Sequence, residues 1–236
     1  HLVYVLNALN GGSVQGYFSF FGRLVPIPGS NRPLHLDPTA TPQFVNTPGQ
    51  VAFSPDGSQL IVTTKANGND IDVFGVGFAG ELSHNPVVNS EPGAVPFAIS
   101  FDPAGQLVIA EAGTNALASF DLHANGKLTQ LDQVGTGQMA TCWVVSDGSH
   151  LFAENAGSAN VTSFADGHAG QLTVLGQTST DPGTVDAAVS PHGRYLYVQT
   201  GGNGIVDEFS VKGGSLTQIG SVTVANAAGG EGIAAA

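Results

Sequence analysis

Residues 52–64 read Ala-Phe-Ser-Pro-Asp-Gly-Ser-Gln-Leu-Ile-Val-Thr-Thr. Two short β-type runs flank a Pro55-Asp56-Gly57 corner, where proline presets one turn residue and glycine supplies the positive φ of another. The same corner returns as Asp102-Pro103-Ala104-Gly105, as Asp147-Gly148 and as Ser190-Pro191-His192-Gly193. The steps between its glycines are 48, 43 and 45 residues. A second marker, Gly-x-Leu, stands at Gly22, Gly80, Gly126, Gly170 and Gly214, with steps of 58, 46, 44 and 44. An aromatic precedes each: Tyr17, Phe74, Phe120, Phe164 and Phe209. Three markers on one period identify an internal repeat. The long first step is explained by an insertion rich in Pro and Thr, from Pro28 to Pro48.

Within one period we read four strands, which in the second unit are Val51–Ser54, Leu60–Thr64, Ile71–Val76 and a short outer strand from Glu81. Four short antiparallel strands per ~45 residues are the signature of a β-propeller blade. The fold expected is all-β, a propeller of about five four-stranded blades in a single domain. The blades cover approximately 1–48 with 230–236, 49–95, 96–139, 140–183 and 184–229. The chain starts on a second-strand pattern, Leu2–Leu6, and ends Gly232-Ile233-Ala234-Ala235-Ala236, which resembles an unaccompanied first strand. Pairing the two would close the ring and satisfy two open sheet edges.

Composition narrows the partners. Six Lys+Arg against eighteen Asp+Glu give a net charge of −12, and charged residues are only 10% of the 236. Nucleic acid is a poor partner, since neutralising phosphates needs clustered cations. No apolar run is long enough for a membrane-spanning helix. One cysteine, Cys142, excludes an intramolecular disulfide framework and a cysteine zinc cluster. It lies in a first strand with no histidine near it in the repeat, and reads as buried and inert. The seven histidines form no HxH or HExxH pattern, so no metal and no cofactor are expected. Gly75-Val76-Gly77-Phe78-Ala79-Gly80 matches GxGxxG but bridges two strands, so it is not read as a dinucleotide site. Low charge and richness in Ser, Thr and Gly favour a secreted or extracellular protein; cysteine usage does not decide against the cytoplasm.

The runs LVYVLNA, AFSPDGSQLIVTTK, TCWVVSDGSHLFAENAGS and SPHGRYLYVQT, with the recurrent GxLT, resemble the lactonase-like, YVTN-type β-propellers. These include 6-phosphogluconolactonase-like and carboxymuconate-lactonizing-like proteins. The resemblance covers essentially the whole chain and implies a lactone hydrolase or lactonizing enzyme. It also implies seven blades where this sequence holds about five. Either the ring closes with five, or two N-terminal blades are absent or sit on a second chain. The blade motif specifies fold far more than activity.

In antiparallel blades the first strand starts where the second ends, so those residues ring one mouth of a central channel. Gln50, Thr141 and Asp186 stand at first-strand starts; Asn7, Thr64, Lys65, Glu111, Glu154, Asn155 and Thr200 stand at second-strand ends. Lactone chemistry needs an acid/base group and a donor or cation for the developing oxyanion. We assign Glu111 or Asp186 as base and Lys65 as electrostatic partner, with Asn7, Gln50, Thr64, Thr141, Glu154, Asn155 and Thr200 as ligand-binding neighbours. Carboxylates at strand ends also commonly just accept turn amides. Arg23 and Lys127 lie at outer strands, Arg194 follows the Gly193 corner and Arg32 is in the insertion. With Lys65 nearly alone, phosphorylated and tricarboxylate lactones are poor candidates, and a small neutral ligand fits better. The alternative is a non-catalytic secreted propeller used as a binding or interaction scaffold.

Overall fold

The computed structural model describes residues 1–235. It is an all-β protein of five four-stranded antiparallel sheets. The first holds β1 (Leu2–Asn7), β2 (Ser13–Phe20), β3 (Arg23–Pro26) and β4 (Arg32–Pro33). The second holds β5 (Val51–Phe53), β6 (Gln59–Thr63), β7 (Asp70–Gly75) and β8 (Val87–Ser90). The third holds β9 (Pro96–Phe101), β10 (Leu107–Glu111), β11 (Ala116–Leu122) and β12 (Leu128–Gly135). The fourth holds β13 (Thr141–Ser146), β14 (His150–Asn155), β15 (Asn160–Asp166) and β16 (Leu172–Ser179). The fifth holds β17 (Thr184–Val189), β18 (Tyr195–Thr200), β19 (Ile205–Lys212) and β20 (Ser215–Thr223). In the last four sheets the strands are neighbours in chain order. The chain divides into two compact units, residues 1–97 with 122–129 and residues 98–121 with 130–235.

In the first unit, Tyr4 and Val14 of the first sheet pack on Leu60, Val62 and Phe74 of the second, with Leu82 beside them. The Tyr4 hydroxyl donates to the Gly80 carbonyl at 2.7 Å, so the ring is buried without an orphaned polar tip. Leu82 belongs to a Gly-x-Leu element, yet no strand starts there: only an isolated bridge, Val76–Leu82, forms, and the outer strand waits until Val87. Pro86 has no N–H to give to a ladder, and Ser83 turns its hydroxyl onto the Asn85 carbonyl. The insertion is not wholly irregular. Its residues Arg32 and Pro33 form β4, which continues the line of β3 along β2. The Arg32 guanidinium donates to the carbonyls of Leu82 and Ser83 at 2.7 and 2.8 Å, which consumes this cation locally.

In the second unit, the faces of the third and fourth sheets meet through Val108, Ala110 and Leu117 against Leu151, Ala153 and Phe164. The fourth meets the fifth through Phe152 and Val161 against Leu196, Val198 and Phe209. Successive side chains alternate between faces, so one strand serves two cores: Leu151 and Ala153 point one way, Phe152 the other. Cys142 is buried, and burial together with the nearby Glu154 and Glu231 carboxyls pushes its thiol up to about 12. A thiol held protonated is inert.

The expected closure by strand pairing does not form. β1 pairs only with β2 among the described strands, so the first sheet has no inner strand. Residues 230–235 adopt no strand, and Ala236 lies outside the described residues. The Ile233 amide instead donates to the Asp186 carboxylate at 3.2 Å. A charged acceptor takes the amide that a ladder would have used, and Gly229-Gly230 upstream carries a large entropic cost for extended pairing.

Candidate functional site

Asp186 lies on β17, just after an irregularity in its pairing with β18. A register shift of this kind re-aims a side chain at a strand end. Its carboxylate accepts from the Ala187 amide at 2.7 Å and from the Ile233 amide at 3.2 Å. Burial raises its pKa to about 6 against those stabilising amides. Glu154 lies on β14, opposite Trp143 and Val161, on the face that carries Phe152 toward the fifth sheet. It is 0% exposed, and neither carboxylate oxygen has a hydrogen-bond partner among the described residues. Burial first, and the neighbouring Asp186 charge second, push its pKa well above the usual carboxylate range. Burial thus raises both carboxyls, and at Asp186 the Ala187 and Ile233 amides offset part of that rise.

Cavities of about 230 and 280 Å³ flank Ile233. The first is lined by Gln199, Ile205, Val206 and Gly232 among others, the second by Ser190, Tyr197 and Ala234. Asp186 is 7% exposed.

The other residues singled out from the sequence in this unit are held by local bonds. Glu111 accepts from Thr114 at 2.8 Å and from Gln133 at 2.5 Å, tying the β10–β11 turn to β12. Thr141 donates to Asn155 at 2.6 Å, and Asn155 donates onward to Asn160 and Thr162. Thr200 donates to the Ile205 carbonyl across the β18–β19 turn. All four are fully buried.

In the first unit, Asn7 donates to Ser13 at the exposed end of β1. The Gln50 amide donates to Thr63, and Thr64 exchanges bonds with the Asp70 backbone. The Lys65 ammonium donates to the carbonyl of Phe44 at 2.5 Å and to the Thr47 hydroxyl at 3.0 Å, and sits 4.9 Å from the Phe97 ring centroid. Phe44 belongs to a short helix in the insertion, α1 (Gln43–Asn46). The cation therefore anchors that helix, and Lys65→Met is expected to speed amide exchange in residues 43–47 by about tenfold, read by hydrogen exchange.

Asp72 was not singled out from the sequence. It is buried on β7 between Val62 and Val88, and burial, with Asp70 adding to it, raises its pKa to about 7. The signal was available in Asp-Ile-Asp-Val-Phe, where strict alternation around Ile71 and Val73 fixes which way Asp72 points. The folded state binds a proton here that the unfolded chain has already released above pH 4. Stability from this site is therefore full below about pH 4 and is lost as pH rises to about 7. Asp72→Asn should raise stability at pH 8 by on the order of 4 kcal/mol and flatten the pH 4–8 profile, measured by urea unfolding.

The sequence profile described as lactonase, 7-bladed beta-propeller matches residues 109–232. The chain belongs to this lactonase family. A protein from Lactobacillus plantarum shares its fold at TM-score 0.80 and 23% identity, over 96% of this chain and 70% of that one. The periplasmic gluconolactonase of Pseudomonas aeruginosa superposes at 0.76 and 22% identity, over 94% and 67%. A putative 6-phosphogluconolactonase from Bacteroides fragilis gives 0.68 and 17%, over 94% and 81%. No curated protein sequence matches significantly. The family description gives seven blades, and this lactonase-like chain carries five sheets.

Proposed function

We propose that this lactonase-like protein hydrolyses a small neutral lactone beside Asp186 and Glu154. The observation that carries this reading is a pair of buried carboxyls in unlike surroundings: Asp186 accepts two backbone amides, while Glu154 is fully buried with no hydrogen-bond partner among the described residues. Asp186 takes a proton from water as the water attacks the lactone carbonyl carbon. The acyl–oxygen bond of the ring then breaks, and the Glu154 carboxyl gives its proton to the departing alkoxide. The hydroxy acid leaves as its carboxylate. Asp186 then releases its proton to solvent and Glu154 regains one, which restores both carboxyls.

The cavities beside Ile233 suit a small ligand with no strong anionic group. No arginine lies in the fifth sheet between Tyr195 and Thr223, and its one cation, Lys212, is at the exposed end of β19. A phosphate or second carboxylate would meet Asp186 and Glu154 without a counter-charge. The test is a hydrolysis assay across unsubstituted, hydroxylated and phosphorylated lactones at pH 7. Turnover of neutral lactones, with phosphorylated ones at least about tenfold slower, is expected. No turnover of any lactone at enzyme concentrations of tens of micromolar would remove the catalytic reading and favour a binding scaffold.

A further inference from the structure

Alternation along β18 sorts its side chains between two faces. Leu196 and Val198 pack on Phe152 and Val161 of the fourth sheet. Gln199 therefore points to the opposite face, and the register sets it directly across from Asp186 on β17. At the same place in the repeat, Thr63 donates its hydroxyl to the Phe97 carbonyl and Ala110 packs in a core. Gln199 does neither. It is 9% exposed, and its side-chain amide has no hydrogen-bond partner among the described residues. An amide that has lost water and gained no partner is costly, and a ligand that accepts from it recovers that cost.

The amide lines the cavity of about 230 Å³ beside Ile233. Gly230 stands against it: a Cβ there would lie 3.2 Å from the Gln199 Nε2, so glycine leaves the amide head its room. The rest of the lining is glycine or aliphatic, with Ile205, Val206, Val224, Ala227 and Ile233, and it holds no ionisable or hydroxyl side chain. The backbone around it is already bonded. The Gly204 carbonyl accepts from the Val224 amide at 2.8 Å, the Val224 carbonyl from the Ala227 amide at 3.2 Å, and the Ala227 carbonyl from the Gly230 amide at 2.9 Å. The Ile205 carbonyl accepts from the Thr200 hydroxyl at 2.9 Å. An incoming molecule is offered one amide in apolar surroundings.

We propose, resting on the catalytic reading above, that Gln199 donates to the carbonyl oxygen of the substrate and that the cavity takes an aliphatic substituent, which makes the substrate class alkyl-substituted lactones. The cross-strand pairing puts the held carbonyl next to Asp186, where the attacking water gives up its proton. As the carbonyl oxygen gains negative charge the bond from Gln199 strengthens, while Gln199 itself makes and breaks no covalent bond. A sugar lactone would bring several hydroxyls against walls that cannot bond them.

Hydrolysis of γ-octalactone and ribono-1,4-lactone at pH 7 tests the class, and kcat/KM should favour the alkyl lactone by at least about 30-fold. Gln199→Leu keeps the wall apolar and removes the donor. It should lower kcat on γ-octalactone by about 10²–10³-fold, with a much smaller change in KM. A calorimetric titration with 2-butylcyclopentanone reads the cavity without catalysis, since this ketone offers the same carbonyl and tail but no ester bond to cleave. The wild type should bind it, and Gln199→Leu should weaken that binding by about fivefold. Should Gln199→Leu fail to fold, Gly230→Ala crowds the amide without removing it and is read the same way, with smaller losses. A preference for the alkyl lactone below about threefold overturns the ligand class and leaves the catalytic reading standing. A Gln199→Leu variant within about twofold of wild type in both kcat and ketone affinity overturns the carbonyl contact. Ketone binding that weakens in Gln199→Leu, with no lactone turned over, supports the ligand class and removes the catalytic reading. Absence of ketone binding at millimolar concentrations overturns the proposal whatever the turnover.

Discussion

Replacing Asp186 by Asn should lower kcat/KM for a neutral lactone by about 10²–10⁴-fold, the usual worth of a positioned general base. The substitution keeps the volume and leaves one oxygen, which can hold the shorter bond from the Ala187 amide, while the bond from Ile233 to the other carboxylate oxygen is lost. The ionisation disappears with it. The wild-type rate should therefore climb with pH through about 6, as the raised carboxyl of Asp186 loses its proton. It should fall at higher pH, when Glu154 is forced to ionise against burial and the Asp186 charge. Glu154→Gln preserves a neutral hydrogen-bond donor and removes the transferable proton. It should slow lactones with poor leaving alkoxides more than activated ones, and abolish the alkaline fall. A pH–rate profile on the three proteins separates the roles. An Asp186→Asn variant within about threefold of wild type would sink the assignment.

The second large effect is on stability. Phe164 fills the core between the third and fourth sheets and is 0% exposed. Phe164→Ala should cost about 3–5 kcal/mol, from lost transfer energy and the cavity left behind. Tyr17 occupies the corresponding place in the first sheet but is only partly buried. Tyr17→Ala should cost less than about 1.5 kcal/mol, as expected for a half-covered aromatic. Urea unfolding followed by tryptophan fluorescence reads the fourth sheet directly, because Trp143, the one tryptophan, packs against that core. Equal losses in the two variants would show that the face carrying Tyr17 is covered.

Much of the architecture was legible because the repeat states it several times. Gly57, Gly105, Gly148 and Gly193 all take a positive φ at the corners where a side chain would be strained. Gly-x-Leu opens the outer strand at Leu128 and Leu172, and misleads only at Leu82, where Pro86 intervenes. The site was legible less well. Glu111, Thr141, Asn155 and Thr200 stand at the strand ends assigned to them, yet their polar atoms close turns. A strand end offers unpaired backbone groups, and a short polar side chain there satisfies them whether or not a ligand binds. Glu154 could have been separated from this group. One residue earlier in the repeat than Asn155, it replaces what is Thr63, Ala110 and Gln199 elsewhere, none of them ionisable.

From the amino-acid order alone follow the β-blade, its period, its five occurrences and the apolar stripes that stack them, because local turn chemistry and alternation are short-range properties. Tertiary structure alone decided that the tail binds Asp186 through an amide instead of pairing with β1, and that Lys65 holds α1. It alone decided that Glu154 lacks hydrogen-bond partners among the described residues while Glu111 has them. Such differences depend on which donors lie within about 3 Å in space, and on how much water each carboxyl has lost. Residues far apart along the chain determine both.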